Sequence, residues 1–133
     1  MAKKGAYFYA NGKRKSAVAT VRLYPQGSGD ISINGQSIRD WADSDEIFFR
    51  IGKPLNLLGV RKEIDLEIIT KGGGKVAQAD SIVLGIARAF VKKDPAYREQ
   101  LKTEDLLTRD SRVKERKKPG RARARKSRQW SKR

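Results

Sequence analysis

Alternating apolar positions predict two paired strands near the start of the chain. From Ala17 to Leu23 every second side chain is apolar, which is the period-2 pattern of a half-buried strand across residues 16–24. A shorter aromatic run at residues 7–9 predicts a strand before it. Between the two, Asn-Gly at residues 11–12 is a dipeptide typical of hairpin turns, so we predict that the chain reverses there.

Two further strands follow in the same pattern. Ile31 and Ile33 alternate with polar residues, and the Asn-Gly pair at residues 34–35 closes this short strand. Residues 62–70 alternate again and predict a fourth strand, which the three glycines at 72–74 interrupt.

Helical spacing predicts the remaining elements. Residues 43–46 resemble the start of a helix that stops at Pro54. A long helix is predicted over residues 76–93, and a shorter one over residues 96–102. Strands followed by helices that cover one face of the sheet indicate the α+β class. The apolar residues assigned to helix faces or to the segment after them are Ile47, Phe48, Ile51, Ala79, Ile82, Val83, Ile86, Phe90, Leu106 and Leu107.

The balance of charge changes after residue 110. The whole chain carries a net charge of +16, and residues 111–133 hold twelve Lys or Arg against a single acid, Glu115. The last 18 residues contain ten cations and no acid, with almost no apolar residue to build a core. We therefore predict a globular body over residues 1–110 and an extended basic tail over residues 111–133.

The composition of the tail favours a polyanionic partner, RNA above all. A guanidinium binds phosphate bidentately, and Trp130 suits stacking on a base or ribose. In an extended segment, Arg121, Arg123 and Arg125 project to one side at alternate positions. A solvated charge run that only aids solubility is the competing interpretation. DNA, an anionic membrane and an acidic protein are the other partner classes for a basic surface.

Residue types that are absent exclude several kinds of chemistry. The chain has no Cys and no His, which removes disulfides, thiol nucleophiles, imidazole bases and the usual zinc sites. We predict no metal, no cofactor and no enzymatic activity. No run of 18 apolar residues predicts a membrane span, and the N-terminus lacks an apolar signal core, so we expect a cytosolic protein without a membrane partner.

Two loops in the body are candidate anion sites. Lys13, Arg14 and Lys15 at the predicted hairpin favour a phosphate contact and a charged turn that blunts a sheet edge equally. Glycines 72–74, followed by Lys75, suit either a flexible turn or backbone N–H contacts with an RNA phosphate. A nucleotide-hydrolysing P-loop is disfavoured, because no Ser or Thr follows the lysine.

The other polar and aromatic groups are better explained by structure. Asp65 and Glu67 share one face of a predicted strand, and without a His nearby they indicate a solvated strand face rather than a catalytic pair. Trp41, Phe48 and Phe49 are predicted to be core or hydrophobic-staple residues rather than a base-stacking platform, because the aromatic residues lack the spacing of an RNA-recognition motif.

Blocks along the whole chain resemble one protein family. The blocks are residues 9–19 (YANGKRKSAVA), 29–35 (GDISING), 72–78 (GGGKVAQ) with 81, 85 and 87–90, 107–110 (LTRD), 115–118 (ERKK) and 131–133 (SKR). Together they resemble the ninth protein of the small ribosomal subunit, in its bacterial form. The chain departs from that pattern at Thr20, where Arg is common, at Ser127 and Arg128, where Ala-Pro is common, and at Trp130, where Phe or Tyr is common.

The resemblance implies a four-stranded sheet with a left-handed β-α-β crossover and a place in the head of the small subunit of the cytoplasmic ribosome. The implied partners are small-subunit ribosomal RNA, neighbouring head proteins and the anticodon stem-loop of the peptidyl-site transfer RNA. The residues predicted to contact transfer RNA are Arg128, Lys132 and Arg133. Those predicted to contact ribosomal RNA are Lys13, Arg14, Lys15, Gly72, Gly73, Gly74, Lys75, Arg109, Arg112, Arg116, Lys117, Lys118, Arg121, Arg123, Arg125, Lys126 and Trp130.

Two other functions stay open on the sequence alone. A DNA-compacting protein would explain the charge but not the blocks in the body. A nucleotide-dependent enzyme would use residues 72–75. Neither accounts for the terminal Ser-Lys-Arg.

Overall fold

The first two strands form a tight antiparallel hairpin in the structure, a computed structural model that describes residues 5–130. Strand β1 spans Phe8–Arg14 and β2 spans Ala17–Tyr24. Their register runs from Phe8 opposite Leu23 to Arg14 opposite Ala17. The predicted turn at residues 11–12 is therefore wrong. The chain reverses at Lys15 and Ser16, with Lys15 in the left-handed region at φ 51°.

The hairpin belongs to a sheet of five strands, where four were predicted. The others are β3 (Ile31–Ile33), β4 (Gln36–Ser37) and β5 (Asp65–Lys71), in the order β1-β2-β5-β3-β4. The additional strand is β4, whose two residues are too few to show alternation. It follows the predicted Asn-Gly turn, where φ is 52° at Asn34 and 81° at Gly35.

Helices α1 (Ile38–Trp41), α2 (Asp45–Leu58), α3 (Lys75–Lys93) and α4 (Tyr97–Thr103) complete an α+β fold. The class is as predicted, and so are α3 and α4 to within one residue at each end. Helix α1 was not predicted. Strands β3 and β5 are parallel neighbours that α1 and α2 connect, which gives a β-α-β crossover. Its handedness stays a prediction.

Helix α2 continues past the proline at which it was predicted to stop. Ser44 caps its start by accepting a hydrogen bond from the backbone N–H of Ile47. Pro54 lies inside the helix, which ends only at Gly59 in the left-handed conformation. An internal proline costs about 3 kcal/mol. Here that cost is offset because the last turns bury Pro54 together with the core residue Leu55.

The core lies between the helices and one face of the sheet. Helix α3 packs across β1 and β2, and its predicted apolar stripe is buried, with Val83 only partly so. Leu106 and Leu107 pack against the core as predicted. Trp41 and Phe48 are core residues, whereas the prediction for Phe49 is wrong, because that ring is 65% exposed on the outer side of α2. Among residues 5–130, no helix has the length and apolarity needed to cross a bilayer.

The predicted carboxylate pair on β5 has a structural role. Asp65 accepts hydrogen bonds from the backbone N–H groups of Ser28 and Asp30, at 3.0 and 2.9 Å. Glu67 accepts one from the hydroxyl of Tyr24 at 3.2 Å. Both side chains are half-buried, so the prediction of a solvated face is wrong. Asp65 thus holds the loop before β3, and Glu67 holds Tyr24 of the neighbouring strand β2.

Candidate nucleic-acid interface

Two lysines lie side by side on the face of the sheet that the helices leave open. Lys13 of β1 pairs with Val18 of β2, and Val18 pairs in turn with Lys71 of β5. The two lysines are thus two strand spacings apart, about 10 Å. Both are exposed. Lys71 was missed in the sequence because the strand was predicted to end at residue 70, although the alternation places residue 71 on the same face as Ile69.

The glycine turn after β5 packs against the hairpin turn between β1 and β2. Gly72 and Gly73 have φ angles of 76° and 65°, and a Cβ on Gly72 would lie 2.6 Å from the carbonyl oxygen of Ser16. Two loops that are more than fifty residues apart in the chain thus meet at one end of the sheet. We call Lys13, Lys15, Lys71 and residues 72–74 the hairpin-end surface.

Lys75 follows this turn but lies apart from the hairpin-end surface. Its Nζ donates a hydrogen bond to the carbonyl oxygen of Trp41 at 2.8 Å and lies 4.0 Å from the centre of the indole ring. A cation over an aromatic face is stabilising. The geometry therefore assigns Lys75 to the packing of α3 against α1, although the sequence suggested an RNA contact.

Arg14 is also separated from the two lysines beside it. Its side chain is only 12% exposed and lies 2.9 Å from Asp110 and 3.7 Å from Asp80. Alternation along β1 explains this, since Lys13 lies on the open face and Arg14 on the helix face. Of the three consecutive cations, Lys13 and Lys15 are exposed to a partner, and Arg14 is committed to contacts within the chain.

Asp110 and Arg112 form a bidentate pair where the tail begins. The Arg112 guanidinium donates to both carboxylate oxygens, with distances of 2.7 to 3.0 Å. These hydrogen bonds hold the pKa of Asp110 well below its usual range, with a smaller contribution from Arg14. Asp110 therefore stays ionised at a lower pH than an ordinary aspartate. Arg109, also a predicted contact, is exposed beside them.

The tail folds back on itself over residues 121–127. Arg121 and Ser127 form an isolated antiparallel bridge, and the N–H of Ala122 donates to the carbonyl oxygen of Lys126 at 2.8 Å. Gly120, at φ 79°, lies in the turn just before this segment, which the N–H of Arg121 closes by donating to the carbonyl oxygen of Lys118. The regular projection of Arg121, Arg123 and Arg125 expected of an extended segment is therefore not the arrangement that these residues adopt in the free chain.

Glu115, the single acid of the tail, holds this folded segment. Its carboxylate accepts hydrogen bonds from Lys118 and from Arg125, the latter at 2.9 Å. Both contacts lower the pKa of Glu115. In the free chain this carboxylate therefore neutralises part of the charge of the two cations.

The other predicted tail contacts are exposed to solvent. Trp130 is 80% exposed, so its ring is open to stacking. Lys132 and Arg133 lie outside the described residues. Exposed tail cations for which the described structure shows no salt bridge are Lys114, Arg116, Lys117, Arg121, Arg123, Lys126 and Arg128.

The described residues offer positive charge and backbone N–H groups at the hairpin-end surface and along the tail. In residues 5–130, no group of three or more acidic side chains is placed to hold a metal ion. The fold and surface define a small α+β protein that presents cations at one end of its sheet and along a tail, as proteins directed at a phosphate backbone do.

Comparison with known proteins identifies the family. The sequence profile of the family described as Ribosomal protein S9/S16 matches residues 12–133. The small ribosomal subunit protein uS9 of Helicobacter hepaticus is 49% identical over 129 residues, which cover 96% of this chain and 99% of that protein. The uS9 protein of Cyanothece sp. is 48% identical over 131 residues, covering 98% and 95%. The uS9c protein of Tupiella akineta is 49% identical over 123 residues, covering 92% and 86%.

This chain therefore belongs to the ribosomal protein S9/S16 family. The resemblance read from its sequence blocks is confirmed.

Proposed function

We propose that this chain is a non-catalytic component of the small ribosomal subunit that binds ribosomal RNA through its hairpin-end surface and its tail. The observation that carries the proposal is the convergence of Lys13, Lys15, Lys71 and the glycine turn on one end of the sheet. The relatives at 47–49% identity are named as small ribosomal subunit proteins, which supports the same conclusion.

The hairpin-end surface suits the RNA backbone better than the bases. Lysine is a point charge with a flexible stem, and glycine leaves backbone N–H groups open to a phosphate oxygen. Contacts of this kind position a protein on RNA without reading its sequence. Selectivity then comes from the shape of the RNA, which the rigid sheet can match.

The tail adds reach and charge to the rigid body. The 18 residues from 116 to 133 would span about 55–65 Å if fully extended, enough to pass between RNA helices. In the free chain Glu115 neutralises Lys118 and Arg125, and RNA phosphates would replace its carboxylate on these cations. Release of counterions from the RNA offsets the entropy lost when the tail becomes ordered.

The end of the tail is proposed to contact the anticodon stem-loop of the transfer RNA in the peptidyl site. Arg128 is exposed near that end, and Lys132 and Arg133 follow it in the sequence. The proposal places the chain in the subunit head of the cytoplasmic ribosome, beside neighbouring head proteins.

Replacing Lys71 by Ala tests the hairpin-end surface, and replacing Lys75 by Ala is the control, because Lys75 is only four residues away but lies outside that surface. For Lys71→Ala, we expect binding to a transcript of the head region of small-subunit ribosomal RNA to weaken several-fold, with the slope of log affinity against log salt falling by about 1. For Lys75→Ala, we expect an unchanged slope and a loss of about 1–2 kcal/mol in unfolding free energy, because the contacts to Trp41 are lost. Filter binding and urea unfolding measure the two effects. Equal changes in slope for both variants would contradict the assignment.

Replacing Arg133 by Ala tests the proposed contact with transfer RNA. We expect weaker binding of transfer RNA to the peptidyl site of reconstituted small subunits, by roughly threefold to tenfold, because one charge-assisted contact is lost. Incorporation of the protein into the subunit should stay normal, and Lys114→Ala, near the start of the tail, is the matched control for loss of a tail cation. A failure of assembly in Arg133→Ala would instead give this residue a structural role.

A further inference from the structure

A chain of ion pairs lies where the tail leaves the body. The Arg14 guanidinium lies 2.9 Å from the Asp110 carboxylate and donates hydrogen bonds to the carbonyl oxygens of Asp110 and Arg112, at 3.2 and 3.0 Å. Its Nε lies 3.7 Å from the Asp80 carboxylate of α3. We call Arg14, Asp80 and Asp110 the tail clasp.

The tail clasp is anchored on three elements of the body. Asp80 also accepts a hydrogen bond at 3.0 Å from Arg50 of α2, whose other nitrogen bonds Glu46 at 3.1 Å. Acids and bases thus alternate from α2 through α3 and β1 to the first residues of the tail. Of the contacts of Arg14, the hydrogen bond to the carbonyl oxygen of Arg112 reaches past Asp110 into the tail. Asp110 itself holds Arg112 through its carboxylate, so the two contacts together join the tail to the body.

The burial of Arg14 shows that its guanidinium is used mainly for these contacts within the chain. Only 12% of its side chain is exposed, while the carboxylates of Asp80 and Asp110 are 35% and 36% exposed. An arginine so enclosed must keep its partners, because a buried charge without them is costly. It has little surface left for a phosphate.

We propose that Arg14 is a positioning residue whose ion pairs with Asp80 and Asp110 fix the direction in which the tail leaves the body. The consequence for RNA binding rests on the proposed function: the tail cations then reach RNA along one path. A tail with a fixed root keeps a higher effective concentration at a second contact than a tail that pivots freely. It also loses less entropy when it binds.

One substitution separates the tail clasp from a purely electrostatic effect, because the two predict opposite changes in RNA affinity. Asp110→Asn removes a negative charge beside a basic tail, so electrostatics alone predicts tighter RNA binding. The tail clasp predicts weaker binding, by roughly tenfold, because the root of the tail is released. Glu99→Gln on α4 is the matched control, since Glu99 is exposed and its carboxylate makes no ion pair within the described residues. It should bind RNA as tightly as the unaltered protein or slightly more tightly.

A second substitution holds the charge constant. Arg14→Lys keeps the positive charge, but a single ammonium group cannot span two carboxylates and two carbonyl oxygens as the guanidinium does. If Arg14 only contributed charge, RNA affinity would be unchanged. The tail clasp again predicts that RNA affinity falls several-fold. If Asp110→Asn fails to fold, Arg14→Lys still tests the proposal.

A measurement on the free protein separates the tail clasp from RNA binding. The chain has no Cys, so Val113→Cys and Gln129→Cys each accept a single spin label, near the root and near the end of the tail. In full-length protein, Arg14→Lys and Asp110→Asn should increase the mobility of the label at 113 and leave that at 129 unchanged, while Lys13→Ala changes neither. The proposal is overturned if mobility at 113 does not change, or if Asp110→Asn binds head-region RNA as tightly as the unaltered protein. If the unaltered protein fails to bind that RNA, the proposed function fails, and the label at 113 still decides whether the clasp exists.

Discussion

Removal of residues 119–133 is expected to weaken binding to small-subunit ribosomal RNA by on the order of a hundredfold near physiological salt, while the body stays folded. The segment carries seven Lys or Arg and no acid. Each phosphate contact that is lost lowers the slope of log affinity against log salt by about 0.7–0.9, so the slope should fall by up to about 6. Of the residues removed, those that the structure describes (119–130) contribute nothing to the apolar core, so the thermal unfolding midpoint should change little.

Filter binding between 50 and 200 mM salt measures the first effect, and circular dichroism measures the second. The matched control keeps the length of the tail but replaces those seven cations by Gln. We expect it to lose most of the same affinity, because the charge and not the length carries the binding. A truncated chain with an unchanged salt slope would show that the tail is not the contact.

Replacing Gly12 by Ala is expected to lower the free energy of unfolding by about 3 kcal/mol or more, because β1 and α3 touch at this position. A Cβ on Gly12 would overlap the carbonyl oxygen of Ser81 and lie 2.5 Å from the backbone nitrogen of Gly85. Backbone atoms cannot move aside as a flexible side chain does. The helix or the hairpin must shift, and domains of this size have roughly 5–15 kcal/mol of stability in total.

Gly52→Ala is the control, for which we expect the free energy of unfolding to rise instead of fall. This glycine lies within α2, and a Cβ there would meet its nearest neighbours at 3.6 and 3.7 Å, which are ordinary contacts. Alanine should therefore stabilise the helix by about 0.5–1 kcal/mol. Urea unfolding of both variants checks the pair, and a Gly12→Ala protein as stable as the unaltered chain would contradict the close approach of β1 and α3.

Gly12 also shows why the sequence alone gave a wrong prediction for the first hairpin. Long periodic segments such as α3 and β2 were predicted to within about one residue, because their apolar positions carry the signal directly. Asn-Gly at residues 11–12 reads as a turn by local preference, but Gly12 serves to admit α3, a contact made with residues about seventy positions away. Pro54 was misread for the same reason, since the tertiary burial that keeps α2 helical does not appear in a local pattern.

The candidate interface was predicted in part. The glycine turn and the cations of the hairpin were found from the sequence, but Lys13, Arg14 and Lys15 look alike there. Only the true extent of β1 places Arg14 on the opposite face from Lys13. Lys75 was read as part of the glycine turn, and nothing local indicates its bond to Trp41. In the folded tail one acid, Glu115, pairs with Arg125 ten residues away, and no local pattern indicates that contact.

Sedimentation of a cell lysate through sucrose gradients at low and high salt, with the full-length chain followed by immunoblot, tests whether RNA contacts hold this chain in the small ribosomal subunit. We expect the chain to migrate with the small subunit at both salt concentrations. Migration with DNA, or as a free light species at both, would contradict it.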